Sequence, residues 1–181
     1  MIIRKAESED LISLLAVVEE AFGEHEGPEV VGLVKDLLND PTAYPLLSLI
    51  AENDDHRILG HILFSRAGFD DKPEVKASCL SPLAVAPDMQ NRGIGQALIN
   101  EGLAMLRTMD VELVFVLGHP AYYPRCSFVI AGELGFETPY PLAEEAKEAW
   151  MVYELKPGAL KKTKGKVIFA DALLDPRYWR E

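Results

Sequence analysis

The stretch from Leu83 to Leu106, LAVAPDMQNRGIGQALINEGLAML, constrains the fold of this chain more than any other part of the sequence. It begins with strand-forming residues, reaches Pro87 and a polar turn, and continues with apolar residues at helical spacing. Gly93 and Gly95 stand at the first turn of the predicted helix. Glycine is costly there because it loses more backbone entropy on folding than any other residue. We therefore expect that a backbone without side chains serves a purpose at this turn that offsets the entropy cost of the glycines.

A helix N-terminus with no side chains over it is suited to binding a phosphate. Its first N–H groups have no acceptor within the helix, and the helix dipole adds partial positive charge. Glycines at 93 and 95 leave those donors open to a pyrophosphate, and Arg92 offers a nearby cation. The alternative is a tight turn in which the glycines serve only steric needs. The preceding strand and the Gln-x-x-Gly-x-Gly spacing favour the phosphate interpretation.

The residues themselves exclude two common nucleotide-binding motifs. A P-loop needs Gly-Lys-Ser/Thr at the end of its glycine-rich turn, and this stretch has none. The dinucleotide fingerprint G-x-G-x-x-G needs a third glycine, whose position Leu98 occupies.

The rest of the chain alternates strand and helix patterns without the strict repetition of a doubly wound fold. Helices are predicted over residues 8–22 and from Pro28 onward, with GEHEG between them, and NDDH is a hairpin signal. Further strands are predicted at the N-terminus and over residues 77–86, 111–118 and 149–155, whereas the basic cluster KKTKGK is interpreted as a solvated loop. This order predicts an α/β fold with one mixed sheet and helices on both faces.

Composition narrows the classes of function. With 181 residues, 49% of them hydrophobic, and a net charge of −11, the chain has a globular composition and lacks the basic surface of a general nucleic-acid binder. No segment reaches about 18 consecutive apolar residues, so no membrane span is expected. Cys79 and Cys126 form neither a C-x-x-C pair nor a disulfide framework. The first ten residues have no leader-like apolar stretch, and a cytoplasmic location is expected.

Two segments resemble the Gcn5-related N-acetyltransferase (GNAT) superfamily, in its YhbS-like branch. LAVAPDMQNRGIGQAL is similar to the family's acetyl-CoA motif, Gln/Arg-x-x-Gly-x-Gly/Ala, with Gln90 at the first position. GHPAYYPRCSF resembles a second segment, in which a helix carries an aromatic pair followed by Gly-Phe. The resemblance implies an acyl-CoA N-acyltransferase fold with a mostly antiparallel sheet. It spans a domain of residues 1–156, on which residues 157–181 are expected to pack as an extension.

The resemblance also implies how acetyl-CoA would be bound, with no metal required. Backbone N–H groups of Arg92, Gly93, Ile94, Gly95 and Gln96 would hold the pyrophosphate, next to Gln90 of the same motif. The strand at Leu83, Ala84 and Val85 would pair with the pantetheine arm, and a main-chain N–H near Val85 would polarise the thioester carbonyl. A deprotonated amine would then attack directly, without an acyl-enzyme.

Tyr123 matches the tyrosine that protonates the departing thiolate in this family, by its spacing to Ser127 and Phe128. Tyr122, one residue away, is interpreted as a packing aromatic, and packing is also the alternative for Tyr123. The family pattern has glycine where this chain has Ser127, so the turn that aims Tyr123 is expected to differ slightly.

A general base is not evident from the sequence. Glu24, His25 and Glu26 are expected in a loop bordering the acceptor site, and His119 follows a predicted strand, but a solvated or structural role is the simpler interpretation for each. The two cysteines have no neighbouring histidine that would mark a nucleophile. Nor do His56 and His61 have the spacing of metal ligands.

The sequence therefore leads to two hypotheses. In the first, the protein transfers an acetyl group from acetyl-CoA to a primary amine of a small molecule or peptide. In the second, it is a non-catalytic module that binds acyl-CoA on the same fold. A homodimer is left open: Tyr178 and Trp179 are expected either in the core or over a sheet edge or a partner.

Overall fold

A mixed sheet organises residues 1–180, which the computed structural model describes. The strands of the chain are β1 (Ile2–Lys5), β2 (Leu47–Glu52), β3 (Ile58–Gly68), β4 (Ala77–Val85), β5 (Leu113–Leu117), β6 (Val129–Ile130), β7 (Phe136–Glu137), β8 (Trp150–Glu154), β9 (Gly165–Lys166) and β10 (Ile168–Phe169). The main sheet has the order β1-β2-β3-β4-β5-β8-β6, and β10 joins it by pairing with the end of β3. A separate parallel pair is formed by β7 and β9.

Among residues 1–180, only one pair of neighbours in the main sheet, β4 and β5, is parallel. The sheet is therefore mixed and mostly antiparallel, which confirms the predicted fold class. The predicted hairpin is also confirmed, because β2 and β3 pair antiparallel across the turn at residues 53–56. β4 and β5 run parallel because α2 (Ile94–Thr108) connects them as a crossover.

The first helix, α1 (Leu11–Asn39), is broken at Gly23, whose φ of 76° and ψ of −177° are not helical. The predicted five-residue interruption is thus a single residue, and GEHEG is helical from Glu24 onward. The break lets the two segments approach closely: a Cβ on Gly27 would lie closer than 3.0 Å to the backbone oxygen of Glu19. Glycine is therefore required at 27 by packing.

Helices cover both faces of the sheet, as predicted. The core on one face contains Leu14, Val18 and Val34 of α1, and the core on the other contains Leu98 and Leu103 of α2. Hydrophobic burial on both faces is what makes the central strands apolar along their whole length. Each face of the sheet thus has its own helix.

The chain after residue 156 packs on the α1 face. The ring of Trp179 lies 4.8 Å from that of Phe169 and 6.0 Å from that of Trp150, between centroids, and its indole N–H donates to the Leu173 carbonyl at 2.7 Å. The basic cluster is not a plain loop, because it contains the end of the short helix α3 (Ala159–Lys162) and strand β9. Glu181, the last residue of the expected extension, lies outside the described residues. Within residues 1–180, no helix combines the length and apolarity needed to cross a membrane.

Candidate active site

Strands β4 and β5 separate part-way along the sheet. They are paired only where Ala77, Ser78 and Cys79 face residues 113–115. Beyond Cys79, β4 continues along β3, whereas β5 pairs with β8 up to Leu117. Within the described residues, the edge of β4 from Leu80 to Val85 therefore has no strand partner on the β5 side.

A β-bulge in β4 marks the start of this open edge. The register of β3 with β4 shifts between Phe64↔Leu80 and Ile62↔Leu83, so Ser81 and Pro82 together occupy the space opposite one residue of β3. A bulge bends its strand and increases the local twist. Here it turns β4 away from β5 at the point where the two strands part.

The direction of the β4 amides follows from the pairing. Ala86 donates its N–H to the Leu59 carbonyl at 2.9 Å, toward β3. Amides alternate along a strand, so that of Ala84 also points to β3, while those of Leu83 and Val85 point into the gap. The Gln90 side-chain amide donates to the Val85 carbonyl at 3.2 Å, which ties the turn before α2 to this open edge.

The N-terminus of α2 opens on the same gap. Gly93 is its N-cap, with a φ of 80°, and the first intrahelical bond runs from the Ala97 N–H to the Gly93 carbonyl at 2.9 Å. The N–H groups of Ile94, Gly95 and Gln96 therefore have no acceptor within the helix. There is no acidic residue in the first turn to compete for them.

The two glycines of the motif are needed for different reasons. Gly93 has a left-handed backbone, and a Cβ placed on it would meet nothing within 4 Å. On Gly95, in contrast, a Cβ would lie closer than 3.0 Å to the hydroxyl oxygen of Tyr122. Glycine is favoured at 93 by its left-handed φ, and at 95 because a larger residue would have to displace the Tyr122 hydroxyl. The sequence interpretation, which gave both glycines the same reason, missed this contact.

Tyr123 is buried at the end of β5. Its ring lies so close to Gly118 that a Cβ there would approach it within 3.0 Å, and it meets the Phe128 ring edge-on at 5.5 Å. The expected helix is a short 3-10 helix, Tyr123–Cys126, with Tyr122 as its N-cap. Ser127 ends the turn with a φ of 66°. This left-handed conformation explains why a glycine suits that position, and serine adopts it here all the same.

One cleft of about 1130 Å³ passes through the gap between β4 and β5, from one face of the sheet to the other. We call its two openings the α2-side mouth and the α1-side mouth. Residues of the α2-side mouth include Leu83, Val85, Gly93, Gly95, Tyr122 and Tyr123. Residues of the α1-side mouth include Phe22, Glu26, Glu29, Val30, Leu33, Leu173, Tyr178 and Trp179. Two ligands that enter from opposite faces would meet in the gap.

Most of the sequence-predicted site residues line this cleft. The exceptions are Ala84, which is buried on the α1 face of the sheet, and Arg92, which is exposed beside the turn. Sequence reasoning gave no role at the site to Tyr122, and none to the C-terminal residues at the α1-side mouth. The aromatic residues Tyr178 and Trp179 were the sequence signal for this part of the site, but they belong to no local motif.

The candidate bases are dispersed. Glu24, His25 and Glu26 lie in α1 rather than in a loop, and of these only Glu26 lines the cleft. His119 also lines it, and the imidazole Nδ1 accepts the Ala121 N–H at 3.1 Å, so a neutral His119 has its proton on Nε2.

Both cysteines line the cleft with their thiols protonated. Burial raises the pKa of Cys79 to about 12 and also raises the pKa of Cys126. A thiol attacks as its thiolate, so neither side chain is a nucleophile at neutral pH.

In the described part of the chain, the remaining histidine and metal-ligand candidates do not form a site. His61 is buried on β3 against the Ser48 hydroxyl, and burial lowers its pKa to about 4. Over residues 1–180, no three His, Cys, Asp or Glu side chains are grouped to hold a metal.

Comparisons with known proteins identify the family of this chain. The sequence model described as "Acetyltransferase (GNAT) family" matches residues 11–128. The chain is 43% identical over 150 residues to "Uncharacterized N-acetyltransferase YjhQ" of Escherichia coli (strain K12), covering 81% of this chain and 80% of that protein. The chain belongs to the GNAT family of acetyltransferases.

Two solved GNAT structures are similar to the whole chain. The crystal structure of YhbS from Escherichia coli in complex with CoA has a TM-score of 0.86 and 25% identity, covering 96% of this chain and 92% of that chain. A GNAT acetyltransferase from Brucella melitensis in complex with acetyl-CoA has a TM-score of 0.73 and 28% identity, with coverages of 95% and 97%. The resemblance to the YhbS-like branch is thus supported by fold as well as by motif.

Proposed function

We propose that this GNAT protein transfers the acetyl group of acetyl-CoA to a primary amine of a small molecule or peptide. The observation that carries the proposal is the cleft that crosses the sheet between β4 and β5. A donor bound from the α2 face and an acceptor bound from the α1 face would meet in the gap, beside the open edge of β4. Such an arrangement suits a direct transfer between two bound substrates.

The α2-side mouth suits the pyrophosphate of CoA. The free N–H groups of Ile94, Gly95 and Gln96 converge there with the positive end of the helix dipole. Arg92 adds a cation next to the turn. Asp88, the nearest acidic residue in the sequence, is neutralised by a bidentate pair with Arg57, with N–O distances of 2.7 and 2.8 Å. Phosphate oxygens would therefore meet donors rather than carboxylates.

The open edge of β4 suits the pantetheine arm. The arm has amide groups that pair with strand edges, and Leu83 and Val85 direct their main-chain groups toward it. The Val85 N–H is a donor that points into the gap and so suits the thioester carbonyl oxygen, while the Val85 carbonyl accepts from the Gln90 side chain at 3.2 Å. A fixed N–H at that oxygen stabilises the negative charge that develops on it in the transition state.

Acetyl-CoA supplies an acyl group activated by its thioester. The amine nitrogen forms a bond to the carbonyl carbon, the carbon–sulfur bond breaks, and the amine loses a proton to water or a nearby carboxylate. The phenol of Tyr123 donates a proton or a hydrogen bond to the departing thiolate. The raised pKa values of Cys79 and Cys126 support direct attack over an acyl-cysteine pathway.

Thiol release from acetyl-CoA in the presence of a panel of amines tests the proposal, together with calorimetric titration of CoA. We expect CoA to bind and thiol to be released only when an amine is present, with one acetyl group found on the amine by mass spectrometry. Binding without release for every amine would favour the non-catalytic module. Failure to bind CoA would overturn both hypotheses.

Gln96→Glu tests the pyrophosphate site without threatening the fold. A carboxylate in the first turn stabilises a helix but repels a phosphate, so affinity for CoA should fall at least tenfold while the melting temperature is maintained or raised. Asn100→Asp, one turn later on the same helix and exposed, is the matched control and should leave affinity within about twofold. Equal losses of affinity in both variants would contradict the placement of the pyrophosphate.

A further inference from the structure

The α1-side mouth and its C-terminal wall point to the chemical class of the acceptor. We propose that this mouth binds a primary amine carried on an apolar body, such as a phenylethyl group, and that Tyr178 is a specificity-determining residue for it. The proposal rests on the proposed acetyl transfer and adds to it the acceptor class and the wall that selects it.

Two apolar surfaces face each other at this mouth. One is formed by Phe22 and Val30 of α1, which are half-buried, and the other by the half-buried ring of Tyr178. Buried Leu33, Leu173 and Trp179 lie behind them. An acceptor that packed its carbon skeleton here would gain the free energy of burying apolar surface, about 25 cal/mol per Å². A hydroxyl-rich body such as an amino sugar would lose its hydrogen bonds to water against the same surfaces.

The C-terminal surface is held rigidly in place. The Trp179 indole is buried against Phe169 and donates to the Leu173 carbonyl at 2.7 Å. Asp40, at the end of α1, accepts the Ala172 N–H at 2.9 Å. The wall is therefore tied to both the sheet and α1. Because this surface is already ordered, a ligand of matching shape can bind to it with little loss of side-chain and backbone entropy.

Tyr178 belongs to the C-terminal wall, where it is half-buried and lines the cleft. The Arg177 guanidinium lies over its ring at 5.1 Å, which orients the ring. Its pKa is raised, chiefly by burial, with Arg177 opposing the shift and the carboxylates of Asp36, Glu29 and Asp175 adding to it. The Tyr178 ring packs against the same core cluster as the α1 residues and lines the same cleft as Glu29.

The charges at this mouth favour a single ammonium group. Glu26 and Glu29 are exposed on the α1 wall, and among residues 1–180 neither has a cationic side chain within 4.0 Å. Arg177 is neutralised by Asp175 at 3.0 Å, which leaves Arg180 as the opposing charge on the C-terminal wall. Two carboxylates against one guanidinium attract an ammonium group but offer little to a polycation with several amines.

Steady-state thiol release with phenylethylamine, glucosamine and spermidine tests the acceptor class. We expect phenylethylamine to have a kcat/KM at least tenfold above those of the other two. Tyr178→Ala should raise the KM for phenylethylamine about tenfold and leave the KM for acetyl-CoA within twofold, whereas Tyr178→Phe should keep parental values for both. Glu26→Gln combined with Glu29→Gln should raise the KM for the amine several-fold. The matched control is Glu24→Gln, on the same helical segment but off the cleft.

Binding measured without turnover separates this proposal from the proposed function. Because Trp179 lines the mouth, its fluorescence should change when phenylethylamine is added to the CoA complex, and the same response should need about tenfold more amine in Tyr178→Ala. Binding without thiol release would overturn the enzymatic function and support the mouth as an amine site. A preference for glucosamine or spermidine, or equal effects of Tyr178→Ala on both KM values, would overturn the acceptor proposal while transfer itself stands. Neither binding nor release of thiol would overturn both.

Discussion

The hydroxyl of Tyr122 occupies the space that a side chain at Gly95 would need. A Cβ on Gly95 would lie closer than 3.0 Å to that oxygen but 3.5 Å from the Tyr122 Cζ and 3.5 Å from Leu83 Cδ2, which are ordinary contacts. The conflict is thus with one atom. Tyr122 reaches the first turn of α2 from the 3-10 turn after β5, so these two residues connect the segments on which the α2-side mouth is built.

This contact predicts that Gly95→Ala lowers the free energy of unfolding when residue 122 is tyrosine and raises it when residue 122 is phenylalanine. In the parent, alanine must displace the hydroxyl, and we expect a loss of about 1 kcal/mol in the free energy of unfolding, the lower end of what overpacking costs. In a Tyr122→Phe background the space is open, and Gly95→Ala should stabilise by about 0.5–1 kcal/mol because alanine is the better helix former.

Urea unfolding of the parent, the two single variants and the double variant measures the coupling. We expect a coupling free energy of about 1.5–2 kcal/mol, within the range for residues in direct contact. If the two single effects add to within about 0.5 kcal/mol, some other contact determines why glycine stands at position 95.

The phenol of Tyr123 is expected to act on turnover rather than on binding. Tyr123→Phe keeps the ring that packs on Gly118 and Phe128 but removes the proton for the thiolate. We expect kcat to fall by about 10²-fold, the lower end of the usual contribution of general acid catalysis, with CoA affinity within twofold. Steady-state kinetics and calorimetry measure the two effects.

A neighbouring tyrosine serves as the control for this experiment. Tyr153→Phe removes a hydroxyl from a ring that packs on Phe128 at 5.4 Å but does not line the cleft, so kcat should stay near the parental value. A parental kcat in Tyr123→Phe would show that the thiolate obtains its proton elsewhere.

Local sequence patterns were sufficient for the elements that carry the CoA motif. The alternation and turn residues of β2 and β3 predict their hairpin, and the apolar spacing after Gly95 predicts α2, because both depend on neighbours in the chain. The gap itself was not predictable in this way. It exists because β4 stays paired with β3 beyond its bulge, while β5 stays paired on its other edge with β8, a strand far along the chain.

Long-range packing explains what the sequence interpretation missed at the site. Tyr122 contacts Gly95 across the cleft, and Tyr178, near the other end of the chain, lines the same cleft as Glu29. Neither arrangement leaves a periodic pattern. Ser127 shows the converse: the family pattern has glycine at this position, and this chain adopts a left-handed backbone there with serine.

The left-handed backbone conformation of Ser127 is strained, and glycine at this position would relieve the strain. A non-glycine residue with a φ of 66° costs roughly 1–2 kcal/mol relative to glycine, which adopts that conformation freely. Ser127→Gly should raise the free energy of unfolding by about 0.5–1 kcal/mol, the rest being offset by the greater entropy of glycine in the unfolded chain. Thermal and urea unfolding measure it. The side chain of Ser127 is exposed, so no lost packing complicates the result. Destabilisation would mean that the serine hydroxyl stabilises the turn by more than its backbone strain costs.

Arg4 and its two carboxylate partners are expected to make the stability of the fold depend on pH in the acidic range. Its guanidinium donates to Glu52 at 2.7 Å and to Asp10 at 2.7 and 2.9 Å. The Arg4 hydrogen bond is the main cause of the lowered pKa of Asp10, while His56, followed by Arg4, lowers that of Glu52. Both carboxyls have folded pKa values below their ordinary values of 3.8 and 4.5, so their stabilising effect is complete above those values and is lost as the pH falls through the folded ones.

Arg4→Gln removes the cation from this cluster. Its melting temperature should lie below that of the parent at pH 7, and the difference should narrow as the pH is lowered from about 4.5 toward 2, where the carboxyls of the parent take up protons. Arg66→Gln, an exposed arginine on β3 with no ion pair among residues 1–180, should show a small difference that does not change with pH. If the Arg4→Gln difference stays constant from pH 7 to 2, Arg4 stabilises the fold through the packing of its side chain rather than through the two carboxylates.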